Sequence, residues 1–306
     1  MIYTVTLNPA IDVSLHVRDG LMPGSVNMSY GMRSDPGGKG INVSKTLRAL
    51  GKKSVVCIGF CGENGDKLLE RIEKDFQVLG VNYPTGNTRT NIKITGGDGI
   101  TTDVNAEGPL YDRDSVEKMK NLISRNLKRG DIVAICGRPP MGSPDDIYAD
   151  LIRAFSRTED VKVILDCSGG FLREGLKAVP FAVKPTCEEL GLADEPGVAF
   201  DKASDIITVG VSWCLVSMGR EGAVFTDKAR ERFYSRAIDV KVNCTTGCGD
   251  AMTAGLAYAL ENRMSPDETF RLCMALATAA AETEGTVPPE KERVMELLRS
   301  IPFCGQ

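Results

Sequence analysis

The sequence predicts an α/β fold: a mostly parallel central sheet, helices on both of its faces, and a small β lid beside it. Three observations carry this. Short β-branched runs alternate with amphipathic stretches along most of the chain, two segments alternate at period two around glycine-rich turns, and almost everything after residue 243 has helical spacing. Strands that alternate singly with helices must pair in parallel, because each crossover helix returns the chain to the same end of the sheet. The sheet is then covered on both faces.

The strands expected are IYTVTL near the start, SVVCIGF at 54–60, DIVAIC at 131–136, VKVILDC at 161–167 and SWCLVS at 212–217. Between them KGINVSKTLRAL, GDKLLERIEKDFQVL, RDSVEKMKNLISRNL and DDIYADLIRAF repeat apolar residues every three or four positions, the mark of surface helices. The segments 12–35 and 89–106 carry no helical face and read as hairpins standing off the main sheet, the lid. AIDVKVN at 237–243 reads as a further strand, followed by the helices MTAGLAYALENR, PDETFRLCMALATAAAETEG and PEKERVMELLRS. With no repeat, low-complexity tract or dividing linker, residues 1–306 are expected to form one domain into which the lid segments are inserted.

Composition removes several function classes. The chain has 306 residues, 42% of them hydrophobic, enough for a large core without disulfide staples. Its ten cysteines are scattered, and the closest pairs, Cys57 with Cys61 and Cys244 with Cys248, form no CxxC knuckle, so they read as reduced small hydrophobes. One histidine, His16, rules out a multi-histidine metal site, and any Ser-His or Cys-His triad would have to use it. It lies in the alternating run VSLHV and reads as structural. A net charge of −4 argues against nucleic acid as a partner. No apolar run approaches the ~18 to 20 residues of a membrane span, and MIYTVTLNPAID does not resemble a signal, so a cytoplasmic location is expected.

The chemistry concentrates in two glycine turns that open helices. In NCTTGCGDAMTAGLAYAL at 243–260, Gly247 and Gly249 let a backbone approach an anion, and the free N–H groups and positive dipole end of the following helix point at it. Asp250 opens that helix and is expected to stay ionised there. A carboxylate beside a phosphate suits a base that takes a proton from an attacking hydroxyl; an acid that merely stabilises its helix suits the same position. The second turn, DPGGKGINVSKTLRALG at 35–51, holds Lys39 but is no Walker A loop, since Arg33 stands where that motif needs glycine and Gly40 follows the lysine. Neither turn is GxGxxG, and the HRD signature of protein kinases is absent. Two phosphate-friendly turns suit a donor nucleotide and a second anionic substrate.

Together, GGKGINVSKTLRALG and TTGCGDAMTAGLAYAL resemble the two signatures of the ribokinase-like PfkB carbohydrate kinases, and TLNPAID at 6–12 resembles the branch that acts on phosphorylated hexoses. The likeness runs along nearly the whole chain, through TRTNIKI at 88–94, KPTCEEL at 184–190, SMGREGA at 217–223 and GCGDA at 247–251. It implies a ribokinase-like three-layer sandwich and transfer of a phosphoryl group from ATP, with Mg2+, to a sugar phosphate. Fructose 1-phosphate comes first as acceptor, with tagatose 6-phosphate or fructose 6-phosphate next. A kinase of an unphosphorylated sugar or nucleoside, and a sugar-phosphate sensor without catalysis, are the alternatives.

By the same resemblance Asp250 is the base, and Gly247, Cys248 and Gly249 form the backbone anion hole. Asp12, Gly38 and Asn42 hold sugar hydroxyls, while Lys39 and Arg89 meet the substrate phosphate. Ser217, Gly219 and Gly222 form the nucleotide turn, and Glu189 positions magnesium. The chain departs from the family pattern at Thr186, where asparagine is usual, at Cys244 and Cys248, and at CGRPPMG (136–142), which offers Arg138 as a further substrate ligand. The open edge of the lid invites pairing of two copies through it.

Overall fold

The computed structural model describes residues 1–301. From the N-terminus, β1 (Ile2–Thr6), β2 (Ala10–Val17) and β3 (Ser29–Gly37) lead into α1 (Lys39–Ala49). Next come β4 (Ser54–Phe60), α2 (Gly62–Glu73), β5 (Gln77–Asn82), β6 (Arg89–Thr95), β7 (Thr101–Asn105) and α3 (Arg113–Asn126). The middle of the chain gives β8 (Ile132–Cys136), α4 (Ile147–Phe155), β9 (Lys162–Asp166), α5 (Gly169–Leu176), β10 (Ala182–Val183), α6 (Cys187–Leu190) and α7 (Pro196–Thr208). It ends with β11 (Trp213–Ser217), β12 (Ala223–Asp227), β13 (Arg232–Ser235), α8 (Cys248–Asn262), α9 (Pro266–Ala281) and α10 (Lys291–Ser300).

The main sheet has the order β13-β12-β11-β10-β9-β8-β1-β4-β5, parallel from β11 to β5, with β12 and β13 added antiparallel at one edge. Every residue of β1, β4 and β8 is buried, as strands sandwiched between two helical layers must be. Residues of α3, α4 and α7 pack with Val5, Ile135 and Val163 on one face; those of α1, α8, α9 and α10 pack with Ile2, Ala134 and Ile164 on the other. That is the three-layer arrangement expected. Helix starts follow local chemistry: Asp112 accepts from the Ser115 N–H at α3, and Ser265 with Glu268 closes a capping box at α9 behind Pro266.

Both expected hairpins form, and they join. β2 pairs with β3 and β6 with β7, antiparallel in each case, while β2 runs parallel to β6, giving a four-stranded sheet of order β3-β2-β6-β7. His16 lies in β2 with its ring 6.0 Å from that of Tyr30, in keeping with a structural role. Among the described residues all nine cysteines are unpaired and seven are buried.

Two expected elements differ. The helix read through GDKLLERIEKDFQVL stops at Glu73, and Gln77–Asn82 is instead β5 alongside β4. Helical spacing continues through Phe76 and Leu79, but a strand edge offered by β4 overrides it. The strand read in AIDVKVN is not one: residues 236–245 have no strand, and the last strand is Arg232–Ser235. Residues 237–243 stay outside the sheet although β13, its outermost strand, has an open edge, so alternation alone did not make a strand here.

Candidate active site

Helices α1 and α8 both begin at a glycine with no side-chain cap, so the first N–H groups of each are left for another partner. Gly247 takes φ 91°, and Gly38 takes φ 123° at a point where a Cβ would lie 2.9 Å from Thr6 Cγ2. The two helices pack side by side, and Asn42 of α1 donates from Nδ2 to Oδ2 of Asp250 in the first turn of α8 at 2.8 Å.

Asp250 is 7% exposed. Burial pushes its carboxyl up to about 6; the charge of Asp166 adds to this, and Lys39, Lys184 and the Asn42 hydrogen bond oppose it. The acid was expected to stay ionised, and at neutral pH it does. Desolvation wins over the dipole, and the group is left ionised at neutral pH yet able to hold a proton.

Beneath it lies a charge cluster built at the C-terminal ends of parallel strands, where α/β folds gather their sites. Asp166 ends β9, is fully buried, and accepts from Thr253 Oγ1 at 2.8 Å. Lys39 Nζ lies 3.1 Å from Asp166 Oδ1 and 3.9 Å from Glu189 Oε1, and the buried Lys184 Nζ lies 3.6 Å from the same Asp166 oxygen. Burial alone would raise the Asp166 carboxyl, but Lys184, Lys39 and Thr253 outweigh it and hold the group below the usual carboxylate range. Lys39 is correspondingly held well above its ordinary range, chiefly by the Asp166 carboxylate.

Glu189 and Thr186 form a capping box at α6. The Thr186 N–H donates to Glu189 Oε2 at 3.0 Å, and the Glu189 N–H donates to Thr186 Oγ1 at 2.9 Å. This gives the unusual threonine a role, since its hydroxyl caps the helix as asparagine could. Thr186 also bridges to Ser217 at the end of β11, beside the turn of Gly219–Glu221 and Gly222. The expected nucleotide turn therefore sits against the expected metal-positioning acid.

On the other side, Asp12 of β2 is buried and its Oδ1 accepts from Asn91 Nδ2 at 2.9 Å. Arg89 opens β6. Its Nε and Nη2 donate to Asn8 O at 3.3 and 3.2 Å, and its Nη1 donates to Ala106 O at 3.2 Å. Burial lowers the affinity of that guanidinium for its proton, Asp12 opposes the effect, and Arg138 adds to it. Arg138 itself is exposed, one residue beyond Gly137 at the end of β8. Lys39 and Arg89, expected to share one phosphate, thus have separate partners: Lys39 joins the carboxylates and Arg89 the main-chain carbonyls.

The chain matches the model of the pfkB family carbohydrate kinases over residues 7–293. It belongs to that family. The kinase is 34% identical over 296 residues to a 1-phosphofructokinase of Borreliella burgdorferi, with 92% of each chain covered. It is 33% identical over 318 residues to a 1-phosphofructokinase of Bacillus subtilis, with 98% of each chain covered. Among solved structures, phosphofructokinase-2 of Escherichia coli superposes with a TM-score of 0.90 at 24% identity over 98% of both chains. A ribokinase of Thermotoga maritima superposes with a TM-score of 0.74 at 22% identity, over 98% of this chain and 99% of the other. These two establish the fold, which is the ribokinase-like sandwich the sequence implied.

Asp166, Lys184 and Thr253 in the charge cluster, and Asn91 beside Asp12, are site residues that the motifs did not single out. Lys184 and Asn91 stand inside quoted motifs without an assigned role, and Asp166 looked like the tail of an apolar strand. Its available signal was position: an acid ending a buried parallel strand, on the side where the glycine turns lie. No helix among the described residues is long and apolar enough to cross a membrane.

Proposed function

We propose that this kinase transfers the γ-phosphoryl group of ATP to a hydroxyl of fructose 1-phosphate, giving fructose 1,6-bisphosphate, with Asp250 as general base. The observation that carries the reading is the placement of a buried carboxylate, pushed up to about 6, in the uncapped first turn of α8. The names of the two curated relatives supply the acceptor. Asn42 holds Oδ2 of Asp250, which leaves Oδ1 to take the hydroxyl proton as that oxygen attacks the γ-phosphorus. The bond between the γ-phosphorus and its bridging oxygen breaks, ADP leaves, and the N–H groups from Gly247 to Gly249 with Lys39 stabilise charge on the transferred group. Asp12, Gly38 and Asn42 orient the sugar, and Arg89, with Arg138 nearby, takes its phosphate in place of main-chain carbonyls.

Magnesium needs few protein ligands when a triphosphate supplies oxygens, commonly one or two carboxylates with waters completing the shell. Glu189 fits: one oxygen is fixed by the capping box and the other faces the cluster. When bound, the ion neutralises the triphosphate. No group of three or more acidic, cysteine or histidine side chains among the described residues could hold an ion unaided, in keeping with a metal that arrives with its nucleotide. Ser217, Gly219 and Gly222 receive the nucleotide.

Site residues drawn from Asp12 to Thr253 support treating the chain as one catalytic unit, and the unpaired thiols among the described residues support a cytoplasmic, reducing setting. We also propose pairing of two copies through the small sheet, because Met28, Tyr30 and Met32 on and beside its edge strand β3 are 77%, 63% and 75% exposed. Sedimentation should give a dimer that Met32→Lys dissociates; a monomeric wild type overturns this. The activity is tested by ADP release with fructose, fructose 1-phosphate, fructose 6-phosphate and tagatose 6-phosphate. Fructose 1-phosphate should give the highest kcat/KM, and equal or better turnover of free fructose refutes the phosphosugar assignment.

A further inference from the structure

A groove of about 650 Å³ lies along α1, between that helix, the end of α2 and residues 286–288, and the mechanism above makes no use of it. The chain as a whole carries a net −4, yet Arg33, Lys45, Arg48, Arg71 and Lys74 line this one groove. Against these five cations stand two lining carboxylates, Asp35 and Asp75, which leaves +3. Those two are engaged, Asp35 with Arg33 at 2.7 Å and Asp75 with Arg48 at 2.8 Å, and Lys74 pairs outside the groove with Glu70 at 3.3 Å. Arg71 donates to the hydroxyl and carbonyl of Ser34. Lys45 has only neutral partners among the described residues: Pro36 O at 2.5 Å and Asn42 Oδ1 at 3.5 Å. The charges of Asp35, Asp12 and Asp250 reach Lys45, but this partly buried ammonium touches only neutral oxygens, and so does the arginine beside it, so the pair has no anion in direct contact. Ile41, Ile72 and Phe76 give the groove an apolar floor, and its volume lies within the range of small-molecule sites.

We propose that this groove binds a phosphorylated small molecule carrying at least two negative charges, and that Lys45 couples its occupancy to Asp250. The route is short. Lys45 reaches Asn42 Oδ1, and the same amide donates from Nδ2 to Asp250. A phosphate that draws Lys45 outward removes a partner from the far side of the amide that holds the base. Residues 286–288 continue from the groove into a small cleft lined by Asn42 and Gly247, so the two places share a wall. The binding claim stands by itself; the coupling claim rests on the kinase reading.

Inorganic pyrophosphate is the probe, read by hydrogen exchange on the full chain. Protection should appear in two separate places: residues 247–253, and the groove segments 33–36, 45–49, 71–76 and 286–288. Arg48→Gln, which removes an exposed ion pair with Asp75 and a guanidinium lying over Phe76, should raise the pyrophosphate concentration for half-protection of the groove about tenfold, the size of one charge-assisted contact. Residues 247–253 should respond as in wild type. Arg71→Ala should do the same, and Arg48→Gln decides alone if that variant does not fold. Protection confined to 247–253, or groove protection unchanged in Arg48→Gln, overturns the site. For the coupling, pyrophosphate should change wild-type kcat with both substrates saturating, and Lys45→Met should abolish that change once its groove is filled. A change that persists in Lys45→Met refutes the relay while leaving the site. If no acceptor is turned over at all, the exchange measurement still decides the site and the kinase reading alone fails.

Discussion

The charges at the ends of β9 and β10 and those at the root of the small sheet are satisfied in opposite ways. Asp166 is fully buried, and its oxygens meet Lys39, Lys184 and Thr253, so each charge there is answered by another charge or a fixed hydroxyl. Arg89 is answered by the carbonyls of Asn8 and Ala106, neutral acceptors that a phosphate can replace with gain. The first region is built to keep its arrangement and the second to exchange partners. That division matches the proposed roles, with chemistry over the rigid cluster and recognition at the replaceable one.

The sharpest way to break the comparison is Asp250→Asn. Asparagine keeps the shape and accepts the Asn42 hydrogen bond but takes no proton, so turnover should fall by about two to four orders of magnitude with KM for ATP little changed. Near wild-type turnover would place the base elsewhere. Stability should move the other way. Because the folded carboxyl is pushed up, its contribution is favourable only at low pH and is lost as pH rises through about 6, so the ionised acid is a cost at pH 8. Urea unfolding at pH 8 should show the variant more stable than wild type, a gain that shrinks by pH 4.

Asp166→Ala comes next. It strands Lys184, which is 1% exposed, and removes the main partner of Lys39, so unfolding by urea should show a loss of about 3 to 5 kcal/mol. The wild-type Asp166 carboxyl is held low, so its contribution is present above the unfolded carboxylate range and lost as pH falls through its folded value. The gap between wild type and variant should therefore narrow in acid. A variant as stable as wild type at pH 7 would mean that the cluster is not the rigid half of the comparison.

Much of this contrast was legible in the chain and some was not, for physical reasons. Glycine turns that open helices announce themselves, because few other sequences do that, and Asp250 and Lys39 were found through them, Asn42 only through the family resemblance. Asp12 and Arg89 came from the family resemblance, and they stand in β2 and at the start of β6. Asp166 was hidden because apolar periodicity identifies a strand and says nothing of the residue that ends it. The raised proton affinity of Asp250 was hidden for a related reason. A helix dipole can be inferred from spacing alone, but the burial that opposes it depends on how distant parts of the chain pack around the first turn of α8. The segments Gln77–Asn82 and 237–243 failed in opposite directions, one a strand despite helical spacing, the other alternating like a strand yet left outside the sheet.

Arg89→Ala tests the replaceable half. Loss of a charge-assisted contact to phosphate, about 1.5 to 3 kcal/mol, should raise KM for fructose 1-phosphate roughly ten- to hundredfold while KM for ATP changes less than about threefold. Arg138→Ala is the comparison within the comparison. If Arg138 binds the same phosphate, its loss should also raise the acceptor KM; if acceptor KM is unmoved, Arg89 acts alone and the exposed arginine serves the surface. An Arg89→Ala enzyme with unaltered acceptor KM would refute the recognition role of the small-sheet root.

The smallest effect lies where the two regions meet, at Asn42. Its amide is the one hydrogen bond that α1 supplies to Asp250, and it favours the ionised carboxylate against the burial that pushes the group up to about 6. Asn42→Ala should raise the apparent pKa on the acid side of the kcat profile, by roughly one unit for a bond worth about 1 to 1.5 kcal/mol. The sign is fixed by the role. A base works deprotonated, so wild-type kcat should fall as pH drops through about 6, and the variant should begin to fall at higher pH while recovering most of its turnover in mildly alkaline buffer. A sugar-binding role for Asn42 adds a rise in acceptor KM, but that rise is flat with pH and separable from the shift. An acid limb that stays in place in Asn42→Ala while acceptor KM rises would assign Asn42 to the sugar alone, and the link between the two helix ends would then carry no part of the proton transfer.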